Sequence, residues 1–452
     1  MSTSKPTSPP VDGPRVVTRV KRSILPIAFL LYATSYMDRS SIGYAQLGMS
    51  QSLGIDIATF GVAASIFFIA YVLLEAPSNI ILAKVGARLW LSRIAVTWGL
   101  VTMLTGFVWD VPSLYVARVL LGIAEAGLFP GLLLFLSLWF LQQDRGRALA
   151  AMVFAQPVAL LAGSLSGGWI IDNAHWFGLQ PWQWVFILQG LVPVLVGIYV
   201  FLVLPDRPSK ARWLSPSESS WLEAKINAEN AAVAATEGAV KHRFSIVAFK
   251  SPRVIALTLM TFFGSVGNYA LAFFLPQVLK QIYPAYSATN IGFVGALPYI
   301  LAGIAMLFFG RASDRAKSRR SVVILCLVIG LMGLSGTIAF QGNPVMQVVS
   351  LCVAAIGIVS YSPPMWAFIT ELLTPRQRVV VLAIMTSIAS FGGFVGPLLI
   401  GQMAAGSGVI VAFIVPAICL AIAIVLLAFV RPQHQRTSAA AATPAQTGDA
   451  KV

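Results

Sequence analysis

Stretches of mostly apolar residues, each about as long as a helix needs to cross a bilayer, recur along almost the whole chain. At 1.5 Å per residue, about 20 residues cover the hydrocarbon core. Twelve candidates lie near 24–46, 58–81, 90–109, 112–140, 148–171, 183–204, 253–279, 290–311, 321–341, 345–372, 379–402 and 407–430. Of the 452 residues, 58% are hydrophobic and only 10% are charged, against roughly 25% charged in a soluble domain. A mean hydropathy of +0.82 agrees. So few charges could not cover the surface of a soluble protein of this size. The expected fold is all-α and polytopic, and Gly or Pro inside the spans is no objection to it.

The net charge of +15 suggests nucleic acid until its distribution is followed. The basic residues lie between the apolar stretches, not on one compact face. With the N-terminus in the cytoplasm and the loops assigned alternately, every Lys and Arg falls on the cytoplasmic side except Lys280, Arg39 and Arg118. This bias sets both termini inside and accounts for the charge without a nucleic-acid partner. Cys326, Cys352 and Cys419 sit in apolar runs without CxxC spacing, and His175, His242 and His434 fall in loops or tails. No metal or haem site follows from them, and no cofactor is expected.

Residues 1–22 are polar, Pro-rich and basic, and read as a disordered tail. Residues 431–452 read the same way. Between spans 6 and 7 lies a longer polar segment, 205–252. Within it "SPSESSWLEAKINAEN" carries the marks of a capped amphipathic helix: Ser at the cap, Pro next, Glu soon after. The organisation is then a six-helix half at 23–204, a cytoplasmic linker at 205–252 and a second half at 253–430. "PSNIILAKVGARLWLSR" and "FFGRASDRAKSRRSVV" occupy matching places in the two halves. So do the Gly-rich "AGSLSGGWI" and "GGFVGPLLIG", compositions that let helices approach closely. The matches are loose, and they fit the parallel-repeat plan of two six-span halves.

Longer motifs carry a resemblance. "YMDRSSIGYA" in span 1, "FFIAYVLLEAPSNIILAKVGAR" in span 2, "RVLLGIAEAGLFPG" in span 4, "PWQWVFILQG" at span 6, "LPDRPSKARWLSPSE" in the linker and "FGGFVGPLLIG" in span 11 resemble the anion:cation symporter family of the major facilitator superfamily. The likeness runs over nearly all of residues 22–430. It implies a proton-coupled importer of organic carboxylates in a bacterial inner membrane, functional as a monomer. Aromatic acids, tartrate and sugar acids are among the substrates it implies.

Ionisable residues inside spans are few, and each is a functional candidate because charge in hydrocarbon is costly. Asp38 and Arg39 are adjacent, so they point about 100° apart. One should face a central cavity and the other a neighbouring helix. Asp38 is either a titrating proton carrier or half of a fixed ion pair. Arg39 either tunes Asp38 or holds substrate. Arg118 and Glu125 share a face of span 4, about 10 Å apart. The resemblance assigns a proton to Glu125 and a place near the substrate path to Arg118. It also marks Tyr71, Gln156 and Trp366 as substrate-site residues, with packing as the plain alternative. Gln156 has the stronger case, since an unpaired amide is costly in hydrocarbon. Trp366 follows two prolines in "YSPPMW", where a broken helix could line a cavity. Glu75, Asp314 and Glu371 read as gate or structural ion-pair residues, Glu371 beside Arg376 and Arg378. Many relatives carry two Asn where Thr386 and Ser390 stand here, and related permeases often carry Glu where Gln189 stands. The shorter hydroxyls favour a less polar or aromatic carboxylate over a heavily hydroxylated one. No kinase, cyclase or nucleophile motif appears, so an enzyme is not expected.

Overall fold

A computed structural model describes residues 11–236, 251–373 and 375–430. The described chain is helical apart from short connections. In order the long helices are helix 1 (Gly13–Ser52), helix 2 (Ile57–Val85), helix 3 (Ala87–Thr105), helix 4 (Val111–Trp139), helix 5 (Gln142–Asn173) and helix 6 (Pro181–Val203). A linker helix (Pro216–Thr236) follows. Then come helix 7 (Pro252–Ile282), helix 8 (Ala288–Arg315), helix 9 (Arg319–Ala339), helix 10 (Pro344–Leu372), helix 11 (Pro375–Ser407) and helix 12 (Val409–Phe429). Ten of these twelve are long and apolar enough to cross a membrane. Helices 1 and 3 are the two that are not. Asp38 and Arg39 lower the hydropathy of one, and Arg88 and Arg93 that of the other.

Packing repeats between the halves. Helix 1 lies against helices 5 and 6, as helix 7 lies against 11 and 12. Helix 2 meets 4 as 8 meets 10, and helix 3 meets 4 and 6 as 9 meets 10 and 12. The halves join through helices 2 and 11, 5 and 8, and 1 and 7. Glycine permits two of these seams. Gly61 sits against Gly401 and the Pro397 carbonyl, and Gly168 against Gly292 and the Ala288 carbonyl.

The two ends of the bundle are tied differently. At the end opposite the termini, the bonds cross between halves. The Asp172 carboxylate accepts the N–H groups of Ala288 (3.1 Å) and Thr289 (2.6 Å), so helix 5 caps helix 8. Gln277 donates to the Gly43 carbonyl at 2.9 Å, and Ser164 to that of Gly292 at 3.0 Å. At the end bearing the termini, each described ion pair stays within one half and its flanking segments. Lys21 holds Asp144 at 2.8 Å, and Arg319 lies 3.3 Å from Asp314 and 3.5 Å from Glu371. Asp314 and Glu371 are therefore joined through helix 9. Arg376 and Arg378, expected beside Glu371, have side chains outside the described residues.

The expected disordered tail is corrected in part. Residues 13–22 continue helix 1 as a helix, capped by Asp12. Arg19 donates twice to Glu218, at 3.0 and 2.9 Å, and Gly13 packs against Trp221. The linker helix that they meet is capped as its sequence suggests. Ser215 Oγ accepts the Glu218 N–H at 3.2 Å, and Glu218 accepts that of Ser215 at 2.9 Å, a reciprocal capping box. The Ser215 N–H, with Arg19 adding to it, holds Glu218 below the usual carboxylate range. The remaining tail residues, 1–10 and 431–452, and linker residues 237–250 lie outside the described residues.

Gly168→Ala would drive a methyl into the Ala288 carbonyl, and overpacking of this kind costs about 1–3 kcal/mol. Gly310→Ala meets open space within 4 Å and should be neutral. Thermal melts of the two purified variants should separate them, and equal melting temperatures would refute the close seam.

Candidate functional site

A cavity of about 110 Å³ lies where the two halves meet, room for several waters or one small organic molecule. Helix 1 supplies Tyr32, Ser35, Tyr36 and Arg39, which recur at i, i+3, i+4 and i+7 and so form one polar stripe. Helix 2 adds Tyr71 and Glu75. Helix 4 adds Glu125 and Phe129, and helix 5 adds Gln156. From the second half come Asn268 and Tyr269 on helix 7, Tyr361 and Trp366 on helix 10, and Thr386 and Ser390 on helix 11.

Two broken helices shape this space. Helix 4 stops at Glu125 and resumes at Leu128, with Gly127 at φ +87°. Only Gly enters that region without steric cost, and a methyl here would also press on Ser78. The break puts Glu125 at a helix end facing the cavity. Helix 10, the counterpart of helix 4, is interrupted at Tyr361, between Ser360 and Ser362, where the two prolines of "YSPPMW" suggest it. Trp366 follows the break and lies 6.5 Å from the Phe129 ring across the seam.

Arg39 and Glu125 form the central pair. The Arg39 Nη2 lies 2.8 Å from Glu125 Oε1, with both side chains buried. The contact is an ion pair without hydrogen-bond alignment, so both Glu125 oxygens and the Arg39 Nε remain buried without a hydrogen-bond partner among the described residues. The other end of the guanidinium donates to the Ser35 carbonyl at 2.9 Å. Tyr36 and Phe67 face the cation, at 5.1 and 5.7 Å from ring centroid to Cζ. Such contacts stabilise a desolvated cation by roughly 2 kcal/mol.

Asp38 diverges from Arg39 as helical geometry requires. It lies off the cavity, and its Oδ1 accepts the Thr102 hydroxyl of helix 3 at 2.6 Å. Arg118 is also absent from the cavity wall. Its Nε donates to the Ala63 carbonyl at 3.1 Å, and its guanidinium lies 5.2 Å from the Phe67 ring. The Phe67 ring thus contacts both arginines. Asp38 and Arg118 feel one another's charge, and Glu125 feels both. Sequence spacing sets Glu125 on one helix face with Arg118, whereas the folded chain brings it into contact with Arg39 on another helix.

The remaining candidates divide cleanly. Tyr71, Gln156, Trp366, Thr386 and Ser390 line the cavity, and Gln156 donates to the Asn268 amide oxygen at 2.6 Å across the seam. Glu75, read from sequence as a gate residue, is also in the wall and accepts the Ser387 hydroxyl of helix 11 at 2.8 Å. Asp314 and Glu371 are remote from the cavity. Sequence reading missed Tyr32, Tyr36, Tyr361, Asn268 and Tyr269. The helix 1 stripe and the amide of Asn268 inside an apolar span were the available signals.

A buried polar cavity between two pseudo-symmetric helical halves of a membrane bundle defines a membrane transporter, not an enzyme. The comparisons agree. The family model described as Major Facilitator Superfamily matches residues 28–284 and 257–450, and the chain belongs to that family. It is 39% identical over 388 residues to the "Putative tartrate transporter" of Agrobacterium vitis, covering 86% of this chain and 84% of that one. It is 35% identical over 390 residues to the "Quinolone resistance transporter" of Acinetobacter baumannii, covering 86% and 88%. A solved bacterial homolog of the human lysosomal transporter Spinster, inward-facing and occupied, superposes with a TM-score of 0.71 at 17% identity. The match covers 91% of this chain and 96% of that one, and it speaks to the fold alone.

Breaking a buried ion pair from one side leaves an uncompensated charge and costs about 3–5 kcal/mol. Arg39→Met should therefore destabilise the protein by that order, and adding Glu125→Gln should recover most of the loss. Chemical denaturation in detergent reads both. A double variant no more stable than Arg39→Met would show that the two side chains are not each other's main partners.

Proposed function

We propose that this chain imports a small organic carboxylate together with protons, by rocking of the two halves about the cavity. The buried Arg39–Glu125 pair in the cavity wall is the observation that carries this reading. While Glu125 is ionised it satisfies Arg39. A proton on Glu125 removes that partner, and the carboxylate of a substrate takes its place. Proton loading and anion loading then favour each other, which is coupling in the thermodynamic sense. Loss of the proton returns Arg39 to Glu125 and expels the anion.

Tyr71, Gln156, Trp366, Thr386 and Ser390 supply the contacts around the bound carboxylate. Asp38 and Arg118 act behind the wall, where Asp38 is the second acid able to hold a proton and Arg118 keeps the cluster balanced. The end bearing the termini is cytoplasmic, in keeping with its Lys and Arg, in the inner membrane of a bacterium. The cross-half bonds at the other end then make this an inward-directed state. The protein works as a monomer, and the proton gradient stands in place of a cofactor. The name of the tartrate relative supports a carboxylate substrate.

A thermal-shift screen against aliphatic, aromatic and sugar acids identifies a carboxylate for transport assays. In proteoliposomes an inward proton gradient should then drive its accumulation. Glu125→Gln should lower that accumulation about tenfold or more while leaving exchange of labelled for unlabelled substrate. Unchanged gradient-driven accumulation by Glu125→Gln would sink the role given to Glu125. Exchange without accumulation in the unaltered protein would favour an exchanger or facilitator instead.

A further inference from the structure

The charges in the cavity wall do not balance. Of the residues that line it, only Arg39, Glu75 and Glu125 carry formal charge. Arg39 and Glu125 cancel at 2.8 Å. Behind them, Asp38 and Arg118 are one acid and one base. With every group ionised, Glu75 is the charge left over, and the wall carries a net −1. A proton on Glu125, as in the transport cycle above, brings the wall to zero and not to +1. At that point one cation, Arg39, and one anion, Glu75, both face the same cavity. Like charges repel strongly where the dielectric is low, so this arrangement disfavours a simple anion and suits a ligand carrying both signs.

Geometry sets the two charges on different helices, with aromatic rings in the wall. The Arg39 Cζ lies 5.7 Å from the Phe67 ring, and Glu75 is eight residues further along the same helix, about 12 Å in axial rise. Phe67, Tyr71 and Glu75 are four residues apart in turn, so they share one face, and the Phe67 and Tyr71 rings are 5.7 Å apart. Arg39 pairs with Glu125 and not with Glu75 among the described residues, so a ligand carrying both signs would bridge Arg39 and Glu75. Aromatic side chains line the cavity that both charges face, with Tyr36 and Tyr71 on the first half and Tyr361 and Trp366 on the second. Glu75 is also equipped to receive a donor. Ser387 occupies Oε2 at 2.8 Å, and no other described hydrogen bond reaches the carboxylate.

We propose that the cavity selects a zwitterion, an aromatic carboxylate that also bears an ammonium group, with the carboxylate on Arg39 and the ammonium on Glu75. This rests on the reading of the cavity as a carboxylate site and adds a second, oppositely charged subsite to it. The surrounding rings contribute twice, by packing on the ligand ring and by cation–π attraction to its ammonium. Glu75 is thereby a specificity-determining residue.

Calorimetric titration of the purified full chain with benzoate, 4-(aminomethyl)benzoate and benzylamine tests this. The zwitterion should bind at least about tenfold more tightly than either singly charged ligand. Glu75→Gln should tighten benzoate binding by removing the like charge, and bring benzoate and the zwitterion to within about twofold. Benzoate binding as tightly as the zwitterion to the unaltered protein overturns the proposal, and that comparison needs no variant. So does a tenfold preference that persists in Glu75→Gln. If benzylamine binds and neither carboxylate does, the carboxylate reading of the preceding section fails as well. If both carboxylates bind equally, only the zwitterion proposal fails.

Discussion

A charge taken out of water must be met by an opposite charge, and in this bundle one such meeting organises the rest. Arg39 and Glu125 come from helices 1 and 4 and touch at 2.8 Å. The idealised cost of moving one such ion into a dry interior is of order 20 kcal/mol before any compensation. Helix 4 accordingly ends its first segment at Glu125, and the guanidinium is held further by Ser35 and two aromatic faces. Asp38 and Arg118 extend the arrangement to four charges that sum to zero. All four lie in the first half, two acids and two bases buried within one cluster.

The halves repeat in architecture and differ in chemistry. All the buried ionisable acidic and basic side chains among the described residues, Asp38, Arg39, Glu75, Arg118, Glu125 and Asp144, precede the linker helix. The second half answers with amides, hydroxyls and rings, including Asn268, Tyr269, Tyr361 and Trp366. Duplication can copy helix packing, because packing depends on small residues and ridge geometry. It need not copy a charge cluster, because two such clusters would each need their own compensation. One half therefore carries the electrostatics and the other the shape of the wall.

Much of this was legible in the sequence because a bilayer imposes strong local rules. Span length, the Lys and Arg bias, and the rarity of charge within spans follow from the solvent and need no tertiary knowledge. Asp38, Arg39 and Glu125 announced themselves in that way, and the prolines of helix 10 announced its break. The partner of Glu125 did not, because spacing on one helix is visible in a sequence while the approach of two helices is not. The break in helix 4 had its own signal, Gly127 with Pro130 three residues on in "GLFPG", since proline obstructs the helix four residues before it, and it went unread. Residues 13–22 looked like a tail because what orders them, Glu218 and Trp221, lies about 200 residues away in the chain. The tyrosines of helix 1 were legible as a stripe, yet aromatic residues are common in membrane helices and drew no notice.

In the rocking cycle proposed above, the cap that Asp172 places on helix 8 bears on how often the protein could turn over. It closes one end of the molecule with two backbone bonds to a single carboxylate, at a depth where water enters as soon as the helices part. Bonds to a charged group at such a place are worth about 1.5–3 kcal/mol each in net terms, since water replaces them at once. A latch buried in hydrocarbon would hold far harder and would release too rarely for turnover. In the rocking cycle proposed above, a cap of this order would favour a closed end at rest and still let thermal motion undo it. In that cycle it would act as a detent, not a lock.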